Sequence, residues 1–148
     1  MSVRVASYAV IVEEGKILLI RFRNPESGLV HWHFLGGGVG EGETMEESLL
    51  REAYEEAGVE LEIVRYIGLQ ERTEKHERHY YFCRRRGQEL TLLKQPDEYE
   101  KSSILGFHWV DLQDESQFDD FINRIFSFFD QELGTEWRVG DPAGAVFG

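Results

Sequence analysis

Gly36-Gly37-Gly38-Val39-Gly40-Glu41-Gly42-Glu43-Thr44 runs directly into Met45-Glu46-Glu47-Ser48-Leu49-Leu50-Arg51-Glu52-Ala53-Tyr54-Glu55-Glu56-Ala57-Gly58-Val59, and the reading of this stretch decides the fold. Thr44 followed three residues later by Glu47 fits a capping box, in which the hydroxyl and the carboxylate satisfy each other's backbone amides. Gly58 stands where a left-handed residue would end the helix. The punctuation therefore predicts a helix over residues 44–57. At about 100° per residue, Glu52, Glu55 and Glu56 fall within an arc of roughly 100°. Leu49, Leu50, Ala53, Tyr54 and Ala57 occupy the adjacent sector and are expected to pack on a sheet.

One alternative is a solvated acidic helix face in an acidic protein. Two physical points oppose it. Like charges three and four residues apart cost a few tenths of a kcal/mol each unless a cation offsets them. A solvated helix also gives no reason for the dense glycines before it. A glycine loop would set bare backbone beside the carboxylates, where carbonyls can ligate a cation and amides can approach phosphate. Hard oxygen donors of this kind suit Mg²⁺ or Mn²⁺, completed by water and substrate phosphate.

With Gly37, Glu43, Arg51, Glu52, Glu55, Glu56 and Gly58 at these spacings, and Ala53 and Val59 in the apolar slots, the stretch resembles the Nudix box. Trp32-His33-Phe34 resembles that family's aromatic lead-in, although Leu35 stands where many members carry proline. The resemblance is specific over residues 32–59, extends as an order of elements over residues 3–133, and is silent about the tail. It implies an α/β/α sandwich with a mixed, hairpin-rich sheet and two main helices, and it implies a pyrophosphohydrolase. By resemblance, Glu52, Glu55, Glu56 and the carbonyl of Gly37 would hold the metal. One glutamate, Glu55 for instance, would act as base on a metal-bound water. Arg51 would orient carboxylates, and Glu43 would hold the loop. Many members recruit another carboxylate from a later loop; Glu98 or Glu100 stands in the right region, and ordinary surface roles are equally open to them.

Working outward, Val3–Val12 and Ile17–Phe22 are apolar runs separated by Glu13-Glu14-Gly15-Lys16 and predict a β-hairpin. Residues 31–35 predict a short strand, 59–69 another, and 104–110 a last one. Residues 79–84 and 89–93 predict a hairpin around Arg86-Gly87-Gln88, with a polar loop over 95–103. From Ser116 to Leu133, Phe118, Phe121, Ile122, Ile125, Phe126, Phe129 and Leu133 recur at helical steps and predict a helix covering a sheet. Residues 1–133 thus read as one domain of α/β (α+β) class and 134–148 as an extension. Its Trp137 and Phe147 would dock on this domain or on a second subunit, which leaves a homodimer as an open reading.

The 148 residues suffice for one core. No apolar run approaches the roughly 20 residues of a membrane helix, and Met1–Tyr8 reads as strand without a leader pattern. The single cysteine, Cys83, permits no internal disulfide, which suits a reducing cytoplasm. A formal net charge of -12 disfavours long nucleic acids and anionic membranes as partners. A small anionic nucleotide is admissible where cations offset the field.

Arg21 and Arg23, on the strand before the loop, are candidates for phosphate contact. Trp32 would either stack a substrate ring or belong to the core. His31 and His33 share a strand face and would touch substrate or serve the structure. Arg84-Arg85-Arg86 reads as solvated turn residues, and Cys83 as an inert thiol. Three functional classes follow. The first is hydrolysis of a nucleoside triphosphate, nucleotide sugar, ADP-ribose or dinucleoside polyphosphate. The second is a non-catalytic Nudix-fold nucleotide sensor, which loss of the glutamates would favour and their presence does not. The third, a calcium buffer, lacks its loop pattern of alternating Asp/Asn around a central Gly.

Overall fold

Ile11 is where the chain changes sheets, and the change explains why a single apolar run serves two strands. The computed structural model describes residues 3–24, 26–87, 89–90 and 103–139. Strand β1 (Arg4–Val10) lies in one sheet, and β2 (Val12–Glu13) opens the other. The expected hairpin is confined to β2 and the start of β3 (Lys16–Arg23), where Val12 faces Ile17 across Glu14-Gly15. Both turn residues have positive φ, 52° and 75°, the mirror-image turn whose twist suits a two-residue hairpin. β1 itself pairs elsewhere because both its faces are wanted in cores. Ala6, Tyr8 and Val10 enter one apolar cluster, Ala9 and Ile11 the other.

The remaining elements are β4 (Val30–His33), β5 (Leu35–Gly38), α1 (Met45–Ala57), β6 (Leu61–Arg72), β7 (His76–Arg85), β8 (Ser103–Asp111) and α2 (Asp120–Leu133). The first sheet has the order β5-β1-β7-β6. Its β1 and β7 are parallel, and its two other pairings are antiparallel. In the second sheet β3 pairs antiparallel with β2, β4 and β8. Leu49, Ala53 and Ala57 of α1 are fully buried in a cluster with Ala9, Ile11, Leu18, Ile20 and Leu35. Ile122, Ile125, Phe126 and Phe129 of α2 join Tyr8, Val10, Leu19, Tyr80 and Phe82 in the other. Helix, strands and helix thus form the expected three layers.

Other expectations need correction. Residues 31–35 form no single strand, because β4 and β5 belong to different sheets. The glycine stretch is not a loop at its start: Leu35–Gly38 is a strand paired with Ala6–Ala9. β7 forms a hairpin backward with β6, its register interrupted by irregularities. Glu89 and Leu90 are outside any strand, and residues 91–102, with Glu98 and Glu100, lie outside the described residues. Helix α2 starts later than the periodicity suggested, because Asp119 caps it through Ile122 N–H at 2.8 Å.

Beyond α2, a short 3-10 turn (Thr135–Val139) carries Trp137 fully into the α2-side core. Its indole Nε1–H donates to Asp130 Oδ1 at 2.8 Å, and Arg138 donates to both Asp130 oxygens at 3.1 and 3.0 Å. Trp137 therefore docks on its own domain; Phe147 is outside the described residues. Burial alone would raise the Asp130 pKa, but the bonds from Arg138 and Trp137 outweigh it and leave it below the ordinary aspartate value. A depressed folded-state value gives stability that is complete above the unfolded pKa and lost as pH falls through the folded one. Below about pH 4, the thermal midpoint of the wild type should therefore fall more steeply than that of Asp130→Asn. Parallel melting curves by circular dichroism would show that Asp130 carries no such linkage.

Candidate active site

The caps of α1 are those written in the sequence. Thr44 Oγ1 accepts from Glu47 N–H at 3.0 Å, Glu47 Oε1 accepts from Thr44 N–H at 2.9 Å, and Gly58 has φ 64°. The helix phase differs from expectation at two positions. Leu50 and Tyr54 are exposed, lying beyond the sector that contains Leu49, Ala53 and Ala57. The buried sector extends the other way, over Ser48 and Glu56.

That extension places α1 against β5. Ser48, Glu52 and Glu56, four residues apart, run along the glycine strand in the reverse direction. Ser48 Oγ donates to the Gly38 carbonyl at 3.3 Å. The Glu52 carboxyl carbon lies 3.6 Å from where a Gly37 Cβ would stand. Gly36 N–H donates to Glu56 Oε1 at 3.2 Å. Of the three glycines, Gly37 is the one whose Cβ would face a carboxylate, at ordinary contact distance. Gly36 has a stricter requirement: its φ is 133°, and a Cβ there would run into the Ser7 carbonyl.

Arg51 gathers the remaining acids. Its Nε and Nη2 donate to the two Glu43 oxygens at 2.8 and 2.9 Å, and its Nη1 donates to Glu55 at 2.9 Å and Glu52 at 3.4 Å. Glu43 also accepts from Gly40 N–H at 3.2 Å, which ties the loop to the helix. The Arg51 guanidinium holds the Glu43 carboxyl below its ordinary pKa, and Glu43 foremost holds Arg51 charged. The three box glutamates are thus unequal: Glu56 is buried, Glu52 half-buried, and Glu55 exposed and paired to Arg51.

Glu52, Glu56 and the glycines line a cleft of about 320 Å³ with Arg4, Tyr8, Ile20, Phe22, His33, Phe34 and Ile104. Arg4, the first residue of β1, lies within 3.2 Å of a would-be Gly38 Cβ and supplies a cation to the cleft that Glu52 and Glu56 line. Sequence reasoning missed it; only the pairing of β1 with β5 brings residue 4 beside residue 38. Arg21 and Trp32 face each other across β3 and β4, on the side opposite Ile20 and His33. There Arg21 sits 4.4 Å over the buried Trp32 ring, whose Nε1–H donates to the Gln117 carbonyl at 2.9 Å. Arg23 shares the parity of Arg21, so the structure does not bring Arg21, Arg23 or Trp32 to the cleft. Arg84 pairs with Glu62, and Arg85 with Glu13. Cys83 is buried, which pushes its thiol pKa up and makes it unreactive.

Among the described residues, no three Asp, Glu, His or Cys side chains converge as a ready metal cage. The donor chemistry nonetheless fits Mg²⁺, which needs one or two protein carboxylates and fills the rest of its shell with water and phosphate. Glu52 and Glu56, with backbone of the glycine strand beside them, meet that need. Glu55 is held apart from this pair by Arg51, at 2.9 Å. Among the described residues no helix is long and apolar enough to cross a membrane.

The NUDIX domain model matches residues 1–131. A MutT NUDIX hydrolase from Burkholderia pseudomallei is 28% identical with a TM-score of 0.69, covering 88% of this chain and 98% of its own. An ADP-ribose pyrophosphatase from Streptococcus suis 89-1591 shares the fold at 20% identity and a TM-score of 0.63, covering 92% and 96%. A UDP-X diphosphatase does so at 18% and 0.63, covering 90% of this chain and 66% of its own. No curated protein sequence matches the chain. The fold, the glutamate-bearing helix and the extent of the domain match agree, and the chain belongs to the NUDIX family of pyrophosphohydrolases.

Proposed function

We propose that this cleft hydrolyses the pyrophosphate linkage of a small nucleoside diphosphate derivative, with Mg²⁺ or Mn²⁺ as cofactor. The substrates in view are a nucleoside triphosphate, a nucleotide sugar, ADP-ribose or a dinucleoside polyphosphate. The observation that carries the reading is the placement of Glu52 and Glu56 against the side-chain-free strand Gly36–Gly38, with Arg4 in the same cleft. The descriptions of the solved relatives as an ADP-ribose pyrophosphatase and a UDP-X diphosphatase support this substrate range.

The chain's own groups divide the work. Glu52 and Glu56 would hold the metal, which when bound supplies charge neutralisation and a lowered pKa for water. Arg4 offers its guanidinium to a phosphate oxygen, where a planar fork binds well. The bare amides and carbonyls of β5 allow phosphate to approach closely. Arg51 keeps Glu43, Glu52 and Glu55 oriented, and Glu55, released from it, would take the proton of the attacking water. Water adds to phosphorus, the bridging oxygen leaves, and the products are two phosphorylated compounds or a monophosphate and pyrophosphate.

The test is a panel of nucleoside triphosphates and diphosphate derivatives with Mg²⁺ or Mn²⁺, read by phosphate released directly or after phosphatase treatment. At least one member should be turned over in a metal-dependent way, with loss on chelation. A flat panel would favour the sensor reading instead.

A further inference from the structure

Phe22 and His33 line the cleft that holds Glu52 and Glu56, and two more rings extend their wall. The Phe22 and His33 centroids are 5.3 Å apart, Phe22 and His31 5.7 Å, His31 and Phe121 6.3 Å, and His33 and Phe121 6.5 Å. All four side chains are half-buried. A contiguous set of half-buried rings of this kind suits the stacking of a planar ligand.

His33 adds direction to this wall. Phe34 N–H lies 2.8 Å from His33 Nδ1 and the Phe34 carbonyl 3.4 Å from it; the shorter contact favours Nδ1 as acceptor, with the ring proton on Nε2. Among the described residues Nε2 has no hydrogen-bond partner. Burial, with Arg78 nearby, holds the His33 pKa down at about 4, so the ring is neutral at physiological pH. The group presented beside the rings is therefore one fixed N–H donor with no acceptor.

We propose that this aromatic wall receives the base of the nucleotide and that His33 Nε2–H donates to a carbonyl oxygen on the base edge, selecting keto bases over their amino counterparts. This rests on the reading of the cleft as a nucleotide site and narrows it to uracil-, hypoxanthine- or guanine-type substrates. A donor-only group rejects an exocyclic amino group because two donors would face each other unsatisfied.

The experiment measures equilibrium binding of matched monophosphates to the full chain by calorimetry with Mg²⁺ present, pairing inosine with adenosine and uridine with cytidine. The wild type should bind the keto member about tenfold more tightly in at least one pair. His33→Phe should bring that ratio to within about twofold. His33→Gln should also lower it, because an amide can turn to offer either donor or acceptor, and it decides the matter if the Phe variant fails to fold. A ratio near one in the wild type, the same ratio in wild type and variants, or no binding of any of the four would overturn the proposal. Because binding is read without turnover, a flat hydrolysis panel tests the activity separately.

Discussion

Glu56→Gln and Glu52→Gln should each lower turnover on the order of a thousandfold while leaving the fold intact, since several kcal/mol of transition-state stabilisation depends on these charges. Glutamine keeps the size of the side chain, and at Glu56 it keeps an oxygen able to accept from Gly36 N–H. What it removes is the negative charge that a divalent cation requires. The thermal midpoint should stay within a few degrees of the wild type. Steady-state kinetics across a Mg²⁺ titration, with melts on the same samples, make the check. Wild-type turnover in both variants would remove the pair from the chemistry. Glu55→Gln serves as the internal comparison: it should lose turnover without losing metal affinity, because the exposed Glu55 is held by Arg51 and not by the glycine strand.

Gly36→Ala has the largest expected effect on stability. A methyl group at this residue would collide with the Ser7 carbonyl, a backbone atom that cannot swing aside, and the φ of 133° is strained for any L side chain. Relief requires β5 to lift from β1, which also withdraws the amide that holds Glu56. The loss should exceed about 3 kcal/mol. For a chain of this size that lowers the thermal midpoint by roughly 10 °C or more. Gly42→Ala is the control, since nothing lies within 4 Å of a Cβ there, although its φ of 81° still carries some strain. Equal melting losses in the two variants would mean that backbone strain, and not the close approach of β5 to β1, sets the requirement at residue 36.

Much of the glutamate-bearing helix was legible because its information is local. Thr44, Glu47 and Gly58 act on backbone groups within one turn of themselves, so their residue types suffice to place both ends. The carboxylates at 52, 55 and 56 share an arc by helical geometry alone. The errors came where a distant partner decides. Apolar periodicity cannot tell which strand a run will join, so residues 3–12 looked like one arm of a hairpin although β1 goes to β5 and β7. Nor can glycines announce whether they bend the chain or let another element lie close. Here Gly36–Gly38 do the second, as a strand under a helix.

The functional contacts divide in the same way. Glu52, Glu55 and Glu56 were recognisable at their positions, but their ranking as buried, half-buried and exposed came from the docking of α1 on β5. Arg21, Arg23 and Trp32 are near the box in sequence, yet strand alternation turns them to the far face. Arg4 is more than thirty residues away and reaches the cleft through sheet pairing. The chain order alone determined the helix, its caps and its cluster of acids, because these depend on neighbours a few residues apart. Which acid lies against the glycine strand, which arginine enters the cleft, and which histidine nitrogen is left without a protein partner were decided by tertiary structure, because each depends on strands brought together from separate parts of the chain.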